Sequence, residues 1–218
     1  MQVAIPLYHR FTALDAAGPY QVLAYTPGWT VTFVGPETGP VVDDKGGLSL
    51  SVTATYDEVP RPDVVVVPGG PGTLQAVFDE RLLNWLRGAH EHTRWTTSVC
   101  SGSFVLGAAG LLNGLKATGH WGWLEHLAGV GAVPTEGRVV RAGKIWTAAG
   151  VSAGIDMALS LVAEAADEAT AQTVQLAIEY DPQPPFQAGS PTTAPSELAE
   201  KALALITFEE DAAPTPRR

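Results

Sequence analysis

Val64-Val65-Val66-Val67-Pro68-Gly69-Gly70-Pro71-Gly72 is the stretch on which the fold turns. Four consecutive β-branched residues show no polar alternation, as expected of a parallel strand covered on both faces, and the Pro/Gly cluster ends the run at once. Downstream, residues 81–91 have helical composition, and Thr96-Thr97-Ser98-Val99 reads as a second central strand that stops at Cys100. Upstream, residues 3–7 read as a strand, 14–24 as a helix and 29–34 as a strand, while 41–42 and 48–52 flank Asp43-Asp44-Lys45-Gly46-Gly47 like a hairpin. Beyond Cys100, helices are expected over 103–109, 155–166 and 169–178, with a strand pair at 139–142 and 145–148. Alternation of this kind implies an α/β three-layer sandwich with a mostly parallel central sheet. Asp181-Pro182-Gln183-Pro184-Pro185-Phe186 cannot be regular helix, and residues 196–207 read as a last helix capped by Ser196. The expected organisation is one domain over 1–208 and a flexible tail over 209–218.

Composition narrows the function. The 218 residues carry 13 Lys plus Arg against 23 Asp plus Glu, a net charge of −10, which argues against a nucleic-acid partner because phosphate contacts need clustered cations. Apolar residues make up 45% and charged ones 17%, enough to build a sizeable core. The single cysteine excludes an internal disulfide framework, and the N-terminus lacks the basic segment and apolar run of a signal peptide. No stretch approaches a membrane span, so the expected compartment is the cytoplasm and no membrane partner is expected.

Ser98-Val99-Cys100-Ser101-Gly102 places small residues two before and two after a potential nucleophile, between a predicted strand and a predicted helix. That is the pattern of a nucleophile elbow, in which a sharp turn lifts the nucleophile into a cleft and tolerates only small flanks. The helix N-terminus beneath is expected to lower the thiol pKa. A lone cysteine is more often a buried small residue, and composition alone favours that; the carboxyl end of a central strand, where open α/β sheets bind ligands, favours chemistry. Gly69 and Gly70 offer backbone N–H groups for an oxyanion-type pocket, with a plain turn as the simpler reading and no phosphate-loop pattern present. Asp15 falls at the same end of a parallel sheet and is placed to hold a proton beside the thiol, although taken alone it reads as an idle helix-terminal carboxylate. His120 is the other acid–base candidate; His90 and His92 stand one residue apart on a predicted helix, diverge, and argue against a metal.

Taken together, these motifs resemble the ThiJ/PfpI superfamily of glutamine-amidotransferase-like, flavodoxin-like sandwiches, most closely its isonitrile hydratases. The resemblance spans nearly the whole chain. It rests on Leu14-Asp15-Ala16-Ala17-Gly18-Pro19, the glycine loop and the elbow, together with Gly107 to Leu112, Thr147-Ala148-Ala149-Gly150-Val151-Ser152-Ala153-Gly154-Ile155-Asp156 and Tyr180-Asp181-Pro182-Gln183-Pro184-Pro185-Phe186. Two departures stand out: Ser101 replaces a common threonine, and Gly119 falls where the pattern often reads Thr-Thr-His-Trp. The resemblance implies Cys100 as nucleophile, Asp15 as acid/base, an N-substituted formamide made from an isocyanide and water through a thioimidate, no cofactor or metal, and a homodimer. By analogy with acyl-transfer elbows Gly70 and Ser101 supply oxyanion donors, and Trp121 and Trp146 are candidates to line an apolar pocket, with core packing an equal reading of each. Related regulators join this domain to a DNA-binding module, which the acidic balance and the short C-terminal remainder disfavour. Glyoxalase-like or amidase-like chemistry and redox sensing at Cys100 are the competing functions.

Overall fold

A computed structural model describes residues 1–206. In chain order it runs β1 (Gln2–Pro6), α1 (Ala13–Ala24), β2 (Thr30–Gly35), β3 (Gly39–Val42), β4 (Ser49–Val52), β5 (Ala54–Thr55) and β6 (Val64–Val67). There follow α2 (Thr73–Ala76), α3 (Glu80–His92), β7 (Trp95–Val99), α4 (Gly102–Ala108), β8 (Lys116–Ala117), a 3₁₀ helix at Trp121–Val130, β9 (Val133–Pro134), β10 (Val139–Ala142) and β11 (Ile145–Ala148). The helices α5 (Ala153–Ala165), α6 (Glu168–Ala177) and α7 (Ser196–Ile206) complete the order.

Seven strands form one sheet in the order β10-β11-β7-β6-β1-β2-β5, with every pairing parallel except β10 against β11. The Val64–Val67 run shows why the sheet must be covered twice. Val64 and Val66 join one core with α1, α5 and α6, through Val22, Leu23, Met157, Leu161 and Val174. Val65 and Val67 join the opposite core with α3 and α4, through Leu82, Leu86, Val105 and Leu106. Alternate residues of one uninterrupted valine run thus bury on opposite faces, which is the three-layer sandwich. β3 and β4 form the expected antiparallel hairpin, with Val42 opposite Ser49.

Asp79 caps α3 by accepting the Arg81 and Leu82 N–H groups, and Asp167 caps α6 by accepting from Thr170. The chain divides into two compact units, Met1–Tyr180 and a second from Asp181 onward, where the sequence reading runs one domain to residue 208. Unit one carries the whole sheet; the second carries α7. The expected tail over 209–218 lies outside the described residues. Among the described residues, no helix is long and apolar enough to cross a membrane.

Candidate active site

Cys100 stands immediately after β7 with φ of +59°, a left-handed conformation that non-glycine residues take only when the surroundings enforce it. The enforcement is visible: its N–H points at the carbonyls of Ala148 and Ala149, both at 3.1 Å, so β11 fixes the turn. Gly102 is required by space, because a Cβ there would lie 2.3 Å from the Val67 carbonyl oxygen and 2.7 Å from that of Pro68. The elbow read from the sequence is therefore present, and its small flank has a geometric cause.

Asp15, in the first turn of α1, is fully buried beside this thiol. Its Oδ2 accepts the Gly69 N–H at 2.9 Å, while Oδ1 is buried without a hydrogen-bond partner in the protein. Burial pushes the carboxyl up to about 7; the Gly69 bond and the neighbouring thiol pull the other way, and the charge of Asp44 adds to the rise.

The thiol corrects the sequence expectation. Cys100 is pushed well above its ordinary value, first by burial and then by the negative charge of Asp15, against the pull of Ser101 and Val151 backbone N–H groups that donate to Sγ. The seven-residue α4 and two backbone donors do not outweigh a buried setting shared with a carboxylate.

Gly69 and Gly70 are part of the site in a different way from that expected. The Gly69 N–H holds Asp15, and the Gly70 N–H donates to Ser101 Oγ at 2.9 Å, so neither points free into a cleft. Gly70 has φ of +133°, and a Cβ there would lie 2.5 Å from Thr12 N, which explains glycine at this position. Ser101, expected as an oxyanion donor, turns its backbone N–H to the sulfur and commits its hydroxyl to neighbours.

The segment carrying His120 and Trp121 runs alongside the elbow. At Gly119 a Cβ would meet Ser103 Oγ at 2.8 Å and the Cys100 carbonyl oxygen at 2.9 Å, so the departure to glycine matches a close approach of two backbones. His120 caps the 3₁₀ helix, its Nδ1 accepting the Gly122 N–H at 3.2 Å, and burial pushes its pKa down. The hydrogen bond it makes goes to that helix and not to Cys100. Trp121 is half-buried, its ring 5.5 Å from that of His120.

Three contributors escaped the sequence reading. Val151, with φ of +44°, brings the backbone N–H that meets Sγ from the turn before α5. Tyr8 and Thr73 supply hydroxyls beneath Ser101. A polar side chain directly after the glycine loop was the available signal for Thr73; Tyr8, sixty residues away in the chain, and a backbone donor leave none. Among the described residues, no three His, Cys, Asp or Glu side chains gather where they could hold a metal ion.

The chain is 45% identical to isonitrile hydratase of Pseudomonas putida over 93% of its own length and 88% of that protein. A ThiJ/PfpI family protein from Pseudomonas syringae superposes with a TM-score of 0.90 at 43% identity, covering 94% of this chain and 87% of the other. Oxidized DJ-1 of Toxoplasma gondii shares the fold at a TM-score of 0.73 and 24% identity, over 83% of this chain and 99% of its own. With the DJ-1/PfpI family model matching residues 1–164, around a strand-to-helix elbow cysteine paired with a buried carboxyl group, the chain belongs to the DJ-1/PfpI family.

Proposed function

We propose that this protein is an isonitrile hydratase, adding water to R–N≡C to give an N-substituted formamide without a cofactor. The observation that carries the reading is the buried Asp15–Cys100 pair, in which a carboxyl group with one unpartnered oxygen sits against the thiol. The likeness to the Pseudomonas putida enzyme supports the choice of substrate.

The chemistry follows from where the protons sit. Cys100 passes its proton to Asp15, leaving a thiolate that receives the Ser101 and Val151 N–H groups and a neutral acid that no longer repels it. The soft thiolate attacks the terminal carbon while Asp15 delivers its proton to that carbon, forming one S–C and one C–H bond and leaving a thioimidate, R–N=CH–S. Asp15, again a carboxylate, takes a proton from water as the oxygen adds to carbon and relays it to nitrogen. Collapse of the resulting R–NH–CH(OH)–S adduct breaks the S–C bond, returns the hydroxyl proton to sulfur and releases R–NH–CHO.

The raised thiol also ranks the alternatives. Peroxide oxidises thiolate, so a thiol kept protonated at rest suits redox sensing poorly. The family resemblance further supports a homodimer acting in the cytoplasm, for which sedimentation of the purified chain is the direct check of the first part. The deciding experiment supplies a simple alkyl isocyanide and follows the formamide by mass spectrometry. Cys100→Ala is expected to yield none, and Asp15→Asn to be slowed about 100-fold or more, the usual worth of a general acid–base group. Unimpaired turnover by a folded Cys100→Ala protein would refute the reading.

A further inference from the structure

We propose that Tyr8 and Thr73 form, with Ser101, a hydroxyl relay that holds the nucleophile elbow, and that Thr73 is a positioning residue for Cys100. The proposal rests on Cys100 being the nucleophile of the reaction given above.

The relay is continuous. The Tyr8 hydroxyl reaches both the Pro68 carbonyl oxygen and, at 3.1 Å, Thr73 Oγ1; Thr73 Oγ1 lies 2.9 Å from Ser101 Oγ; and Ser101 Oγ receives the Gly70 N–H at 2.9 Å. Counting protons sets its direction. A carbonyl only accepts, so the single Tyr8 proton goes to Pro68, and the Tyr8 oxygen must accept from Thr73. Thr73 has then spent its one proton and accepts from Ser101, whose other acceptor, the Gly70 carbonyl, is farther away at 3.3 Å. Ser101 thus turns its hydroxyl proton away from the thiol and uses it as a strut, while its backbone N–H faces Sγ.

Why a strut is needed here follows from the residue at 101. Threonine has a branched, stiff side chain whose γ-methyl can be locked by packing, whereas serine has little to hold its rotamer except hydrogen bonds. With Ser101 and Thr73 both buried, an unpaired hydroxyl between them would be costly, and that cost falls on the residue that donates to the nucleophile. Outside the relay, the groups facing the thiol are Asp15 on α1 and the Val151 N–H before α5, and replacing Thr73 leaves both in place; Tyr8, itself a relay member, loses only the hydrogen bond from Thr73.

The test reads the thiol directly, by the pH dependence of Cys100 alkylation with iodoacetamide, beside isocyanide hydration. Thr73→Val preserves shape and removes the hydroxyl; the alkylation midpoint is expected to rise by about one pH unit, with kcat down about tenfold and KM within about twofold. Thr73→Ser restores the hydroxyl and is expected to return both to parental values. Should Thr73→Val not fold, Tyr8→Phe, which removes the acceptor at the head of the relay, is expected to shift the midpoint in the same direction by less. A parental midpoint in folded Thr73→Val, or no recovery in Thr73→Ser, would overturn the proposal. If the parent hydrates no isocyanide, the hydration reading falls, and the alkylation midpoint still decides the relay.

Discussion

Cys100 and Asp15 each look unsuited to catalysis when considered alone, one thiol too reluctant to ionise and one carboxyl too ready to stay neutral. As a pair they need only lose one proton between them, and it is the pair that titrates. The first proton leaves near pH 7, while burial and the Asp15 charge hold the second far more tightly than an ordinary thiol holds its own, so above pH 7 the pair keeps the one proton that lets a thiolate stand beside a carboxylic acid. We expect kcat/KM for isocyanide hydration to rise as the pH passes about 7 and to hold a plateau above it. A profile flat from pH 5 to 9, measured with the parent protein, would mean that the reaction does not draw on this proton. Cys100 was legible in the sequence through the elbow spacing, whereas Asp15, an idle helix-terminal carboxylate when taken alone, was given its role by the family resemblance. Their pKa values were not legible there, because burial and mutual repulsion are set by elements that meet only in the folded chain.

At the scale of elements, the elbow depends on β6 and α4 passing closer than side chains allow, which makes glycine a measure of spacing. Gly102→Ala would drive a methyl against the Val67 carbonyl oxygen, carried by β6, and the Pro68 carbonyl oxygen, held by the Tyr8 hydroxyl; we expect a loss of about 3 kcal/mol in urea unfolding. Gly88, inside α3, has nothing within 4 Å of the place a methyl would take, and Gly88→Ala is expected to stabilise by about 0.5–1 kcal/mol through the helix backbone alone. Equal effects of the two substitutions would show that spacing at the elbow is not what selects glycine. The same contrast explains which elements could be read in advance. The valine run, the hairpin at 39–52 and α3 with its Asp79 cap carry local patterns that agree with the fold. The 3₁₀ helix over Trp121–Val130 carries none, since its order comes from the His120 cap and from packing against α4 and β9. Likewise the meeting of Val151 N–H with Sγ depends on where α5 begins relative to β7, a distance no short motif encodes.

For the molecule as a whole, the site is a place where stability is given up. Asp15 is pushed from an ordinary 3.8 to about 7, so the folded protein binds this proton more tightly than the unfolded chain does. Linkage then fixes the sign: the stabilising contribution is complete below pH 3.8 and is lost as pH rises through about 7, above which the fold holds a buried charge that the unfolded chain leaves in water. Asparagine at this position keeps an oxygen to accept the Gly69 N–H and carries no charge. Asp15→Asn is therefore expected to unfold at higher urea than the parent at pH 8, with the gap narrowing toward pH 4, while hydration at pH 8 is severely reduced. A parent as stable as the variant at pH 8 would mean that the carboxyl is not held against its ionisation by the fold. The opposite movement of stability and activity in one substitution is what separates a carboxyl kept for chemistry from one kept for structure, because a structural hydrogen-bond acceptor would lose or preserve both together.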